Sequence, residues 1–240
     1  MLIFLLGLFG YYDHKILDNP LYNNFLALPY LLGYYIRTKD RDPDLFKEHG
    51  IIIFCGEQGE GKTLSLVRFA IKLKSRYKKA LLSSNLYISY MDYKILHWRQ
   101  MLNIINGKYG VIDCIDELGL WLNSKAQAKD FDASLLEITA QNRKNRRVIL
   151  ATAQQFYQVA KDVRTQTRYV VQCRTFLKIF TLNIYFKPKI DDQGNTKSML
   201  PVKTDFFIHT PALYKCYDTM EMINTLKKDG FQEKEKKKND

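Results

Sequence analysis

The eight residues GEQGEGKT, from Gly56 to Thr63, carry the first chemistry legible in this chain. Glycines at 56, 59 and 61 let the backbone curl so that successive N–H groups point inward, and a concave row of such donors binds anions. Lys62 adds a point charge and Thr63 a hydroxyl. The spacing Gly-x4-Gly-Lys-Thr is that of a loop that cradles the phosphates of ATP, its lysine reaching the β- and γ-phosphates and its hydroxyl a Mg2+ ion. The expected cradle comprises Gly56, Glu57, Gln58, Gly59, Glu60, Gly61, Lys62, Thr63 and Leu64. The apolar run GIIIFC before it and the amphipathic run after it give the strand and helix that such a loop requires, and the helix adds its positive end.

A second chemistry follows the run YGVIDCI, which ends in Asp116 and Glu117. An apolar strand that delivers two adjacent carboxylates to its C-terminal end supplies the other half of a hydrolytic phosphate site. Asp116 is expected in the Mg2+ shell. Glu117 is expected to orient the attacking water or take its proton. Asp113 offers an alternative register three residues earlier, but no acid follows it directly. After the run RVILAT come Gln154 and Gln155; an amide there can bond both γ-phosphate and water, and Gln154 is the candidate sensor, with a plain polar strand cap as the other reading.

These residues need a scaffold. Apolar runs at 50–55, 80–88, 109–115, 147–152 and 168–173 have strand length, and their uniform apolarity suits strands covered on both faces. Helical stretches beginning at Thr63 and spanning 93–106 and 126–142 alternate with them. The expected fold is therefore α/β, with a mostly parallel central sheet flanked by helices. Residues 176–190 and 202–210, joined by DDQGNT, predict an added C-terminal β-hairpin. In domain terms the engine is expected over 50–223, a charged linker over 37–49, and a charged, disordered tail over 224–240.

Residues 1–36 form an apolar N-terminal segment with two apolar stretches of twelve residues. A helix of that length covers about 18 Å of a hydrocarbon layer about 30 Å thick, so a simple membrane span is disfavoured. An interfacial membrane anchor, a partner-binding segment and a packed element stay open. The net charge of +12 permits nucleic acid or an anionic membrane as partner, and equally a solvated basic surface. Four scattered cysteines form no CxxC pair, which argues against zinc and disulfides and for buried thiols in a reducing compartment.

The arrangement resembles ATPases of the FtsK/HerA superfamily, and within it zonular-occludens-toxin-like (Zot) proteins and phage DNA-packaging or assembly ATPases. The residues that carry the resemblance are GEQGEGKT at 56–63, SSN at 83–85, IDEL at 115–118, NRKNRRVILATAQQ at 142–155, KDVR at 161–164 and YDTMEMI at 217–223. The resemblance implies a P-loop NTPase fold and an ATP-hydrolysing motor, a homo-oligomer in the form of a hexameric ring, that moves DNA into a capsid or through an assembly site. It also implies an arginine that reaches the neighbouring subunit's ATP, with Arg143 first and Arg164 second. The implied location is the host cytoplasm, at a virion vertex or peripheral to a membrane. The other functional reading is a membrane-associated assembly or extrusion factor that uses ATP as a conformational switch.

Overall fold

The computed structural model describes residue 42 and residues 44–97, 99–121, 146–191 and 195–218. The segment 1–36, the helix expected over 126–142 with Arg143, and the tail 224–240 lie outside these residues. From Asp44 onward the described residues belong to one compact unit, Asp44–Asp240.

Strand β1 (Gly50–Cys55) leads through the glycine loop into helix α1 (Lys62–Arg76), then to β2 (Leu81–Ser84), β3 (Tyr87–Ile88), β4 (Tyr93–Lys94) and α2 (Arg99–Asn103). Next come β5 (Val111–Ile115), α3 (Leu118–Trp121), β6 (Arg147–Ala153) and α4 (Lys161–Thr165). The chain continues through β7 (Thr167–Phe176), β8 (Phe180–Ile190), β9 (Thr196–Ile208), α5 (Pro211–Tyr214) and β10 (Tyr217–Asp218). Eight strands form one sheet in the order β4-β2-β5-β6-β1-β7-β8-β9. The pairs from β4 through β7 are parallel, and β7-β8 and β8-β9 are antiparallel. This is the expected α/β architecture, with the hairpin continuing the sheet beyond β7.

Strand alternation sends Ile52 and Phe54 of β1 into a core with Leu66, Val67, Ala70 and Leu73 of α1. Ile51, Ile53 and Cys55 go to the opposite face, with Ile95, Met101, Phe156 and Val163. Burial on both faces is why the run reads as uninterrupted apolar sequence. Helix α1 ends with Lys74 and Arg76, which suit the negative end of its dipole. It also reaches the hairpin: Ser65 donates to Asn183 Oδ1 at 3.0 Å, and Arg68 meets Asp205 at 2.6 Å.

Several local expectations give way to side-chain capture of the backbone. The run 80–88 breaks after Ser84, because the side chains of Ser84 and Asn85 take nearby main-chain groups. Strand β3 then pairs with β10 in a separate two-stranded sheet. The stretch 93–106 is helical only over 99–103. Asp92 accepts from the Leu82 N–H at 2.7 Å, and Gln100 Oε1 accepts from Leu96 and His97, which holds the chain extended before the helix starts. Strand β9 begins at Thr196, earlier than expected. It accommodates Pro201 because it is the sheet edge and the pairing shifts register there. Leu45 and Phe46, in the segment read as a linker, are buried in the core, the Phe46 ring edge-on to Tyr77 at 4.8 Å. Three of the four cysteines are buried, and all four are free.

Candidate functional site

Strand order places the two motif strands one apart, with β6 between β5 and β1. The C-terminal ends of these parallel strands then share one edge, where the loop 56–61, the pair Asp116-Glu117 and Gln154 all emerge. The Gly56 N–H donates to the Gln154 carbonyl at 3.2 Å, tying the loop to the end of β6.

Gly61 precedes α1 in the left-handed region, at φ 75°. A Cβ there would lie 2.6 Å from Thr181 Oγ1 and 2.7 Å from Thr175 Oγ1, so the turn into the helix requires glycine. The first helical hydrogen bond, from the Ser65 N–H to the Gly61 carbonyl at 2.9 Å, starts at once. Lys62 is buried and folds back on the loop, its Nζ donating to the Glu57 carbonyl at 2.9 Å. Leu64 anchors the helix start in the core, while Glu57, Gln58 and Gly59 form the exposed crest.

Around Asp116 the contacts are dense. Thr63 donates to its Oδ1 at 2.9 Å, and Thr152, on β6, donates to the same oxygen at 2.7 Å. Thr152 Oγ1 also accepts from the Glu117 N–H at 2.8 Å. Asn85 clamps the Asp116 main chain, its Nδ2 donating to the carbonyl at 2.9 Å and its Oδ1 accepting from the N–H at 2.8 Å. Glu117 is left in the left-handed region, at φ 55°. For a residue with a Cβ that conformation costs about 1–2 kcal/mol, and such costs gather where backbone geometry serves a site. Burial pushes the Asp116 carboxyl above its ordinary range, against the pull of the Thr152 and Thr63 hydroxyls and the Lys62 charge. A carboxylate and a hydroxyl side by side at a phosphate loop fit Mg2+, which takes one or two protein oxygens and keeps phosphate and water as its remaining ligands.

Asp113 is excluded from that role. It is fully buried below the edge, accepts from Arg147 Nη1 at 2.7 Å and bonds the Ser83 hydroxyl, while Arg147 also reaches the Ile104 carbonyl. The acid is spent on a buried ion pair between β5, β6 and β2. Arg164 lies half-buried on the short helix α4, its Nε buried without a hydrogen-bond partner among the described residues, and does not line the cavity at the loop. Burial holds the neighbouring thiols of Cys55 and Cys173 protonated, each pushed up to about 12.

A cavity of about 710 Å³ opens beside the loop, lined by Gly56, Glu57, Glu60, Gln154 and Gln155 together with residues of β7, β8 and β9. Three residues at this edge stand outside the roles that the motifs suggest. In the sequence Thr152 is visible only as part of a strand and Asn85 as part of the SSN run, and Arg174, at the cavity wall, carries no signal at all. Among the described residues no cluster of three or more His, Cys, Asp or Glu could hold a metal, and no helix is long and apolar enough to cross a membrane.

No family model matches the chain, and no curated protein matches it. Among solved structures it is similar to the N-terminal domain of zonular occludens toxin from Neisseria meningitidis, at 14% identity and a TM-score of 0.45, covering 72% of this chain and 100% of that one. It is also similar to the flagellar accessory protein FlaH from Methanocaldococcus jannaschii, at 14% identity and a TM-score of 0.40, covering 68% of this chain and 90% of that one. Strand order and loop geometry identify the fold: a parallel sheet whose glycine loop and acidic pair end two strands that flank a third is the fold of a P-loop NTPase.

Proposed function

We propose that this chain is an ATP-hydrolysing motor that moves DNA, in viral or phage genome packaging or virion assembly. The observation that carries the reading is the shared grip on Asp116: Thr63 from the phosphate loop and Thr152 from the intervening strand bond one carboxylate oxygen, and Thr152 also holds the Glu117 N–H. Asp116 suits the metal of bound Mg·ATP, and Thr152 also fixes the backbone of Glu117, the one further carboxylate that hydrolysis by water calls for. Here Lys62 would neutralise charge on the β- and γ-phosphates, and Thr63 and Asp116 would hold the metal. Bound Mg2+ supplies further charge neutralisation. Glu117 takes the proton of the water that attacks the γ-phosphorus, while ADP departs with the electrons of the broken P–O bond. Gln154, at the end of β6, reports whether the γ-phosphate is present.

The net charge of +12 supports a polyanionic track, and salt-sensitive backbone contact is what a motor indifferent to sequence uses. In a ring the neighbour's arginine, Arg143 or Arg164, would enter the site. The test is ATP turnover with and without single- and double-stranded DNA, in wild type and Glu117→Gln. Stimulation by one DNA form, with Glu117→Gln binding ATP but leaving it uncleaved, is expected. Turnover that ignores both DNA forms would remove the motor reading, and ATP bound without turnover in wild type would leave a conformational switch.

A further inference from the structure

Arg174 stands near the C-terminal end of β7, which pairs with β1 on the side away from β6. Two contacts fasten the backbone around it to the phosphate loop. On one side, the Cys173 carbonyl lies so close to Gly56 that a Cβ on that glycine would come within 2.9 Å of it. On the other, the Thr175 N–H donates to Glu60 Oε2 at 2.6 Å. Residue 174 is therefore fixed between two points of the loop. Strand alternation turns it away from the Cys173 and Thr175 side chains, into the wall of the cavity that Gly56, Glu57 and Gln154 share.

Its guanidinium is uncommitted. Arg68, Arg147 and Arg168 each meet a carboxylate. Arg174 is exposed and has no hydrogen-bonding or ionic partner among the described residues. The loop beside it is also unusual in charge, because Glu57 and Glu60 put two carboxylates where a polyanion must approach. A planar, permanently charged donor carried on backbone fastened at that point offsets them and matches phosphate oxygens in geometry.

We propose that Arg174 binds the phosphate chain of the nucleotide held by the loop of its own chain. The inference rests on the nucleotide reading of the site and deepens it: part of the positive charge the phosphates require comes in cis, from β7, before any neighbour contributes. Binding of Mg·ATP and of inorganic tripolyphosphate, which has no base or sugar, tests it in wild type, Arg174→Ala and Arg174→Lys. The alanine variant should weaken both ligands together, by about ten- to a hundredfold, as a lost charge-assisted hydrogen bond predicts, and the lysine variant should recover part of the loss. A change within twofold for both ligands overturns the inference. So does a loss for ATP with tripolyphosphate unaffected, which would put the guanidinium at the base or sugar. Excess Lys62→Ala protein, which keeps Arg174 but lacks the loop lysine, should not rescue Arg174→Ala; rescue would move the contact to a neighbouring chain and overturn the cis assignment. If wild type binds neither ligand, the nucleotide reading falls first and this inference with it.

Discussion

Asn85 holds Asp116 by both polar groups of its main chain, accepting from the N–H at 2.8 Å and donating to the carbonyl at 2.9 Å. The amide acts as one more rung of β-ladder, placed where β2 has ended and β5 is about to turn. It sets where the carboxylates of Asp116 and Glu117 stand without touching either of them.

Replacing Asn85 with leucine therefore separates position from binding. Two main-chain groups lose their partners at a buried site, and the fold should lose about 2 kcal/mol or more in urea unfolding. The phosphate loop is untouched, so ATP affinity should stay within about threefold. Turnover should fall about a hundredfold, the cost of moving a catalytic group by roughly 1 Å. A parallel loss of affinity would show that Asn85 supports the loop itself.

Thr152 is bonded on both sides, to Asp116 and to the Glu117 N–H. Valine has the same shape without the hydroxyl, and serine keeps the hydroxyl without the methyl. Thr152→Val should cost about 1–3 kcal/mol of stability, because the half-buried N–H of Glu117 and the buried Asp116 carboxylate each lose a partner, and should lower turnover sharply. Thr152→Ser should retain most of the turnover. Equal activity in the two variants would make the residue a packing element only.

Asp113 and Arg147 are both nearly inaccessible, and their side chains meet at 2.7 Å. Removing one partner strands the other charge, so Asp113→Asn should destabilise the fold by about 3–5 kcal/mol. The apolar pair Asp113→Leu with Arg147→Met should lose far less. At a temperature where each variant is folded, turnover per molecule should match wild type. A catalytic defect in folded Asp113→Asn would return that acid to the site and displace Glu117.

The phosphate loop was legible because its demands are local: glycine where φ turns positive, lysine and hydroxyl at fixed offsets, and apolar sequence on either side. The parallel sheet was legible because burial on both faces removes the polar alternation from runs such as GIIIFC and RVILAT. What stayed hidden was set by partners distant in sequence. Nothing in the charged stretch before Gly50 announced that Phe46 would pack on Tyr77. The break after Ser84 depends on Asp116, and the shortness of α2 on side chains that seize backbone groups before a helix can start. Arg174 is one basic residue among many until β7 is laid against β1.

That placement of β1 also bears on how the protein is made. Both of its neighbours, β6 and β7, come from the later part of the chain, and among the described residues no earlier strand pairs with it. During synthesis the segment GIIIFC must therefore wait, apolar and unpaired, until Arg147–Ala153 has emerged, and its second edge stays open until Thr167–Phe176 follows. Pairings that close such long loops are slow to form, and unpaired strand edges invite association with other chains. The ties of the phosphate loop to the Gln154 carbonyl and the Thr175 N–H also come from these late segments, so nucleotide capture is expected to be a late event, and bound ATP would report that the last parallel strand is in place.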